Sequence, residues 1–192
     1  MKLGIFVRRF WPLLLVLVAL IAWWPLFNYL VDFRTPDVGF VTTPNDVVAV
    51  MLDTAQVSED DVVYDLGSGD GRVLMAAARR GARAVGFEID PALVDQSRAA
   101  VASAGLADRI TIHRGDIFKQ DLKPATVITM YLLPNLNAQL RPQLEQLRPR
   151  TRLVSHMFSM PGAKPAKKIT VKSVETGLEH EVYLYVTPIQ WE

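Results

Sequence analysis

Three glycines, Gly67, Gly69 and Gly71, constrain the fold of this chain more than any other feature. They lie in residues 65–71, which read Asp-Leu-Gly-Ser-Gly-Asp-Gly, between a strand-forming run at 61–64 and an alanine-rich run at 73–80. Because glycine has no Cβ, such a turn lets the backbone approach a ligand closely. A glycine-rich turn from strand to helix, followed by an acidic residue after the next strand, is typical of doubly wound α/β domains that bind nucleosides.

The spacing of the glycines indicates which nucleoside cofactor the turn would hold. Dinucleotide-binding turns read Gly-x-Gly-x-x-Gly, whereas this turn reads Gly67-x-Gly69-x-Gly71 and is preceded by Asp65. A carboxylate at that place repels a pyrophosphate and attracts a cationic amino group. On these residues the chain resembles the class I S-adenosylmethionine (SAM) dependent methyltransferases, whose first motif looks like residues 65–71.

Two further elements extend this resemblance, which covers roughly residues 43–160. Glu88 resembles the acid that binds the ribose hydroxyls, and Asp116, in Gly-Asp-Ile, resembles the residue that meets the adenine amino group. The alternative is that Asp65 only caps a helix and Glu88 is a solvated turn residue. The resemblance implies that SAM is the cofactor and that its binding residues are Asp65, Gly67, Ser68, Gly69, Gly71, Glu88, Asp116 and Thr43.

Strand and helix patterns alternate along the chain, which predicts a mostly parallel sheet in an α/β fold. Thr43 followed by Pro44 predicts a helix N-cap and first helical residue, and Pro142 is expected to divide a helical run over 135–147. The turn at 175–177 lies between two strand patterns and predicts an antiparallel final hairpin. The expected strands are 62–66, 84–89, 109–113, 126–131 and 152–156, with hairpin strands at 169–174 and 181–187.

The amino-terminal segment has a different composition from the rest. Residues 10–31 include no charged residue, and 22 residues in a helix span about 33 Å, enough for a hydrocarbon core of about 30 Å. A cleaved signal peptide is the alternative, but it requires small residues at the cleavage site, and residues 22–26, Ala-Trp-Trp-Pro-Leu, are bulky. We therefore predict a hydrophobic helix that anchors the chain at residues 1–31, a linker at 32–42 and the methyltransferase domain at 43–192.

Charge bears on the orientation and on the partners. Lys2, Arg8 and Arg9 precede the apolar run, and by the positive-inside rule they would keep the amino terminus in the cytosol and send the domain across the membrane. SAM is made and kept in the cytosol or in the matrix of an organelle, and Pro25 could let the segment lie shallowly in the membrane instead of spanning it. We therefore expect a single-pass or monotopic anchor with the domain facing the cytosol. The other 161 residues carry a formal charge of −2, which disfavours nucleic-acid binding. Cysteine is absent, and the three histidines form no metal motif, so we expect no metal.

The loop after the fourth predicted strand is where these enzymes place the acceptor. Residues 131–135 read Tyr-Leu-Leu-Pro-Asn, and they resemble the loop of a family of membrane-anchored protein-lysine methyltransferases that modify the ATP synthase c-subunit and the ADP/ATP translocase. The elements Thr-Thr-Pro at 42–44, Leu-Arg-Pro at 140–142 and Val-Ser-His at 154–156 fit that family too. The resemblance implies a protein-lysine acceptor on a membrane protein, with Tyr131 and Asn135 as catalytic residues that orient it.

Methyl transfer to lysine requires that the amine first lose its proton. From a pKa of about 10.4 this costs roughly 4–5 kcal/mol at pH 7, and burial lowers a lysine pKa by up to about 3–5 units. A closed pocket could therefore suffice without a strong base, although His156 could accept a proton or merely bond to backbone. His113 and His180 are expected to be surface or packing residues.

The alternatives for function are methylation of a small molecule or lipid, and a non-catalytic SAM-binding membrane scaffold.

Overall fold

A computed structural model describes residues 39–191 of the 192-residue chain. The predicted hydrophobic helix over residues 1–31 and most of the predicted linker lie outside the described residues. Within residues 39–191, no helix has both the length and the apolar character needed to cross a bilayer.

Seven strands form one mixed sheet in the order β3-β2-β1-β4-β5-β7-β6. The first five strands run parallel, and β7 pairs antiparallel with both β5 and β6. The order reverses between β1 and β4, which creates a crevice at the carboxyl ends of the strands, where such sheets bind ligands. The strands are β1 Val62–Leu66, β2 Arg83–Glu88, β3 Ile110–Arg114, β4 Val127–Met130, β5 Arg152–His156, β6 Lys167–Lys172 and β7 Glu179–Val186.

Helices cover both faces of the sheet, because successive strand residues point to opposite sides. Val63 belongs to one core cluster with the first three helices, whereas its neighbour Tyr64 belongs to a second cluster with the last two. The helices are α1 Asn45–Thr54, α2 Arg72–Arg79, α3 Pro91–Ser103, α4 Pro134–Gln139 and α5 Arg141–Leu144, with a short 3₁₀ turn at Ile117–Lys119.

The structure confirms the predicted mostly parallel α/β sheet with an antiparallel final hairpin. The strands at 62–66 and 152–156 have the predicted bounds, and the others differ by one or two residues at their ends. Pro142 does divide the helical run, and it stands in the first turn of α5, where a missing N–H costs no helical hydrogen bond. The order of the hairpin strands in the sheet differs from their order in the chain: β7, the later strand, lies between β5 and β6.

One predicted helix cap is wrong. The N-cap of α1 is Pro44 rather than Thr43, and this N-cap residue makes no side-chain hydrogen bond to the helix. The Thr43 hydroxyl instead lies 3.0 Å from His156 Nδ1. The first helical amide, that of Asn45, donates to Glu175 Oε2 at 3.0 Å. A distant hairpin turn therefore satisfies the helix end, which frees Thr43 to face the sheet.

Candidate active site

A cavity of about 400 Å³ opens at the carboxyl ends of β1, β2 and β4. The last side chains of the parallel strands lie at this edge of the sheet. The reversal of strand order between β1 and β4 leaves space for a ligand there. Most of the predicted cofactor residues and one predicted catalytic residue border it. The polar residues that border it are Thr42, Thr43, Asp65, Ser68, Asp70, Arg72, Glu88, Asp90, Asp116 and Tyr131.

The glycine turn presents backbone to this cavity. Gly67, Gly69 and Gly71 have φ angles of +78°, +51° and +80°, a region that side chains with a Cβ rarely adopt. A Cβ on Gly67 would also lie 3.3 Å from Leu132 Cδ2 on the opposite side. Ser68 turns its hydroxyl into the protein, where the buried oxygen has no hydrogen-bond partner within the described residues. Only the backbone of Ser68 is therefore available to a ligand.

Glu88 ends β2 and organises the turn from the other side of the cavity. Its Oε2 accepts a hydrogen bond from the amide of Gly69 at 2.8 Å. Its Oε1 accepts from the amides of Ile89 at 2.8 Å and Asp90 at 3.0 Å. Asp90 itself accepts from the amide of Ala92 and caps α3, so it serves the helix. These bonds hold the Glu88 carboxylate in a fixed position on the cavity wall.

Asp65, the fourth residue of β1, is a buried carboxyl on the cavity wall. Its Oδ1 accepts a hydrogen bond from the Thr129 hydroxyl at 2.7 Å. Burial raises the pKa of Asp65 to about 7, the Thr129 bond lowers it, and the nearby charges of Glu88 and Asp70 raise it. Within residues 39–191 no lysine or arginine pairs with Asp65. A cation bound in the cavity would supply the missing partner.

Asp116 lies at the end of the cavity beyond Glu88. Its Oδ1 accepts a hydrogen bond from the Phe118 amide at 3.0 Å, and Lys119 Nζ lies 4.0 Å from Oδ2. The amide of the preceding Gly115 donates to the Glu88 carbonyl at 2.9 Å, which joins this loop to β2. Apolar side chains border the cavity beside Asp116, where a flat base could lie; they are Ile89, Leu93, Ile117 and Phe118.

Tyr131 and Asn135, the predicted catalytic pair, are placed differently. Tyr131 follows β4, is partly buried and borders the cavity. Burial raises the pKa of its phenol above the ordinary value of 10, so the group stays protonated at neutral pH. Asn135 is exposed in the first turn of α4 and does not border the cavity. The structure therefore brings Tyr131 to the cofactor residues and leaves Asn135 outside the cavity.

His156 is fully buried beneath Tyr131, and the two ring centroids lie 4.1 Å apart. Its Nδ1 is 3.0 Å from the Thr43 hydroxyl, and its Nε2 is 2.9 Å from His180 Nδ1. Burial, reinforced by His180, lowers the pKa of His156 to about 4. Both nitrogens are occupied, and the partners are side chains rather than the backbone that the sequence suggested. His180 is buried, not a surface residue, whereas His113 is exposed and stacks on Phe87.

Three residues that border the cavity were missed in the sequence. Arg72 binds both carboxylate oxygens of Asp70, with Nη2 2.6 Å from Oδ2, and its Nη1 donates to the Thr43 carbonyl at 2.9 Å. This arginine ties the glycine turn to the segment before α1. Phe40 lies against Gly69, where a Cβ would overlap its ring. The Asp-Gly-Arg spacing at the helix start was a usable signal for the ion pair, whereas nothing local indicated Phe40.

The residues around the cavity fit a SAM molecule. SAM carries an ammonium, a ribose and an adenine, and the cavity offers the unpaired Asp65 carboxyl, the fixed Glu88 carboxylate and the apolar slot beside Asp116 in that order. The glycine turn adds backbone that no Cβ shields. The fold and this set of residues define a class I SAM-dependent methyltransferase. The profile of the ANTKMT methyltransferase domain matches residues 65–167, and the chain belongs to that family.

Individual relatives agree with this assignment. The chain is 44% identical over 154 residues to a protein-lysine N-methyltransferase of Saccharolobus islandicus, covering 79% of this chain and 94% of the relative. It is 36% identical over 105 residues to an adenine nucleotide translocase lysine N-methyltransferase of Mus musculus, covering 54% of this chain and 46% of that relative. A crystal structure of an RNA methyltransferase from Salinibacter ruber with S-adenosyl-L-homocysteine has a TM-score of 0.70 and 47% identity, covering 76% of this chain and 93% of that one.

Proposed function

We propose that this enzyme methylates a lysine side chain of a membrane protein, using SAM as the methyl donor. The observation that carries the proposal is the 44% identity, over 94% of its length, to a protein-lysine N-methyltransferase. The relative named for the adenine nucleotide translocase supports a membrane-protein substrate. The residues that would do the work can be assigned from the cavity.

Asp65, Glu88 and Asp116 would divide the cofactor between them. Asp65 would pair with its ammonium, Glu88 would accept from its ribose hydroxyls, and Asp116 would meet the adenine amino group. Gly67, Ser68, Gly69 and Gly71 contribute backbone conformation rather than side chains, and Thr43 closes the wall near Tyr131. When bound, SAM would supply a methyl group on a sulfonium: the amine nitrogen would bond to the methyl carbon as the carbon–sulfur bond breaks, S-adenosylhomocysteine would leave as a neutral thioether, and no metal is needed.

Tyr131 would orient the acceptor amine. Its phenol is on the cavity, stays protonated at neutral pH, and can either donate to or accept from a lysine amine. His156 has no free nitrogen within the described residues and would not serve as the base. The lysine proton would therefore leave to water as the side chain enters the pocket, because burial disfavours the ammonium form. Asn135 stays a prediction without support from its exposed position.

Exposed apolar residues near the cavity support a substrate that presents a hydrophobic surface. Phe40 and Val41, which border the cavity, are 47% and 64% exposed, and Leu133, beside the cavity-lining Leu132, is 38% exposed. A soluble substrate loop would give these side chains little to contact. The charge-free residues 10–31 would hold the enzyme at the same membrane. We infer that residues 1–31 anchor the chain, 32–42 link it, and the domain from 43 onward faces the cytosol.

RNA is the second acceptor to consider, since the Salinibacter ruber protein is described as an RNA methyltransferase. The formal charge of −2 on residues 32–192 disfavours that acceptor, because binding to phosphates relies on a basic surface. A lipid or small-molecule acceptor, and a scaffold that binds SAM without turnover, complete the alternatives.

Tritiated methyl transfer to membranes from cells that lack this protein would separate these acceptors. We expect label in protein, recovered as methyl-lysine after acid hydrolysis, and at least tenfold less with Tyr131→Phe. Full turnover by that variant would remove Tyr131 from the proposed role. Label that is sensitive to ribonuclease or extracted with lipid would overturn the lysine proposal. SAM binding without any transfer would favour the scaffold.

A further inference from the structure

The buried residues behind Tyr131 form a chain of side chains that crosses the protein from the cavity to the final hairpin. It begins at the Thr43 hydroxyl and passes through His156 and His180, with separations of 3.0 and 2.9 Å. It ends at Thr176, whose hydroxyl is 3.3 Å from His180 Nε2. Thr43, His156 and His180 are 6%, 0% and 9% exposed. Neither histidine is among the residues that border the cavity.

Each neutral imidazole has one donor and one acceptor nitrogen. The three contacts can all be satisfied only if the donors point the same way along the chain from Thr43 to Thr176. Changing the tautomer of one ring alone would place two donors or two acceptors against each other, and turning a ring over would put ring carbons where the bonding nitrogens lie. The order of the contacts therefore fixes the orientation of the His156 ring about its long axis and, through it, the position of the Thr43 hydroxyl.

Tyr131 depends on that ring. Its phenol ring lies against the His156 ring at a centroid distance of 4.1 Å and near Phe158 at 6.2 Å. The Phe158 segment is fixed in turn, since its amide donates to the His156 carbonyl at 2.7 Å. One buried ring thus supports two parts of the cavity wall, Tyr131 and Thr43.

We propose that His156 is a positioning residue for methyl transfer, held by His180 so that Tyr131 and Thr43 face the acceptor in one arrangement. The inference rests on the proposed function in taking Tyr131 as the residue that meets the acceptor. His180 arrives from β7, so the final hairpin takes part in building the acceptor side of the site. Fixing the reacting groups before the acceptor enters is a recognised source of rate, and a shift of about 1 Å costs as much as 100-fold.

His180→Leu and His180→Gln are a matched pair for the test, because both are of similar size and only glutamine can bond to His156. We expect His180→Leu to lower kcat at saturating SAM at least tenfold, with the Kd for SAM within twofold of the parent. His180→Gln should stay within threefold of the parent kcat. Both are measured below the temperature at which His180→Leu begins to unfold, so that a loss of folded enzyme does not contribute.

Wild-type kcat in His180→Leu would overturn the proposal, and so would an equal loss of kcat in both variants.

NMR of the full chain separates this inference from the proposed function, because it needs no acceptor. We expect His180→Leu to shift the Tyr131 ring signals while the amide signals of Gly67 and Gly69 stay in place. Unmoved Tyr131 signals would refute the positioning role even if lysine methylation is established. Moved signals in a protein that labels no lysine would leave the positioning role standing and refute the proposed function.

Discussion

Two buried aspartates at opposite ends of β1 have opposite environments. Asp61, at the amino end, pairs with Arg152 and accepts hydrogen bonds from the Thr126 hydroxyl and the Ser58 amide. Burial alone would raise its pKa, but these partners outweigh burial and hold the pKa below its usual value. Asp65, at the carboxyl end, has the Thr129 bond and a pKa of about 7.

The difference separates a carboxylate that stabilises the fold from one that is available for binding. Asp61, immediately before β1, and Asp65, within it, are both buried, and four residues at the rise of a strand span about 13 Å. The first has an internal arginine as its counterion. Within residues 39–191 the second has no lysine or arginine partner, and we propose that a cation from outside supplies one, since perturbed carboxyl groups are common at functional sites. Four experiments would test whether the two roles are separate.

The largest effect is expected from Asp61→Asn. The substitution leaves the Arg152 guanidinium, which is 24% exposed, without its carboxylate partner. We expect the free energy of unfolding to fall by about 3 kcal/mol, since breaking a largely buried pair from one side leaves an unpaired charge. Urea denaturation measures this, and the exposed neighbour variant Asp60→Asn is the control. The Kd for SAM should be unchanged, and a parallel loss of SAM affinity would show that the two ends of β1 are not independent.

Asp65→Asn should have the reverse pattern. Loss of the carboxylate that pairs with the ammonium should weaken SAM binding by about 10- to 100-fold, the range for a hydrogen bond to a charged group. The SAM-free protein should become more stable at pH 8, because a buried carboxylate without a cationic partner no longer has to ionise. Calorimetry measures the SAM binding, and thermal unfolding measures the stability. The exposed Asp95→Asn variant is the control. A destabilised Asp65→Asn protein would contradict the unpaired state of Asp65.

The pH dependence follows from the same two pKa values. Asp65 has a folded pKa raised from 3.8 to about 7, so its contribution to stability is present below about pH 4 and is lost as the pH rises to 7. Asp61 has a lowered folded pKa, so its contribution is present above about pH 4 and is lost in more acid solution. SAM affinity, which needs ionised Asp65, should rise about tenfold from pH 6 to pH 8. A flat profile in calorimetry would place the Asp65 pKa outside that window.

The smallest effect is expected from Thr129→Val. The Thr129 hydroxyl lowers the Asp65 pKa by donating to the carboxylate at 2.7 Å. Its removal should raise that pKa further and shift the pH profile of SAM binding toward alkaline pH. At pH 7 we expect about threefold weaker binding, which should recover by pH 9. Binding that stays weak at pH 9 would indicate a packing defect rather than a change in ionisation.

The cofactor side of the site was predictable because its residues are local. Asp65 and the three glycines lie in seven consecutive residues, and Glu88 follows on the adjacent strand of a pattern that alternates regularly. The turn that follows one parallel strand and the carboxyl end of the next parallel strand always lie at the same edge of the sheet. The sequence alone therefore predicted that Asp65 and Glu88 border one crevice, and both border the cavity in the structure.

The acceptor side was not predictable in the same way, because it depends on contacts between distant parts of the chain. Thr43 and His156 are 113 residues apart, and His156 and His180 are 24 apart on antiparallel strands. Whether His180 is buried depends on β7 lying between β5 and β6, and a hairpin pattern does not reveal which of its strands pairs with the sheet. Asn135 is a different case: a motif predicts it as a catalytic residue, whereas the structure places it exposed in the first turn of α4 and away from the cavity, so its role stays a prediction.

The interior position of β7 has a consequence for how the protein is made. Strands β1 to β5 leave the ribosome well before β7, and until it emerges β5 has an open edge and β6 has no partner. Open strand edges are templates for aggregation. Any shortened version that ends before Glu179 would leave the β5 edge open and β6 unpaired, and we expect such a version to aggregate.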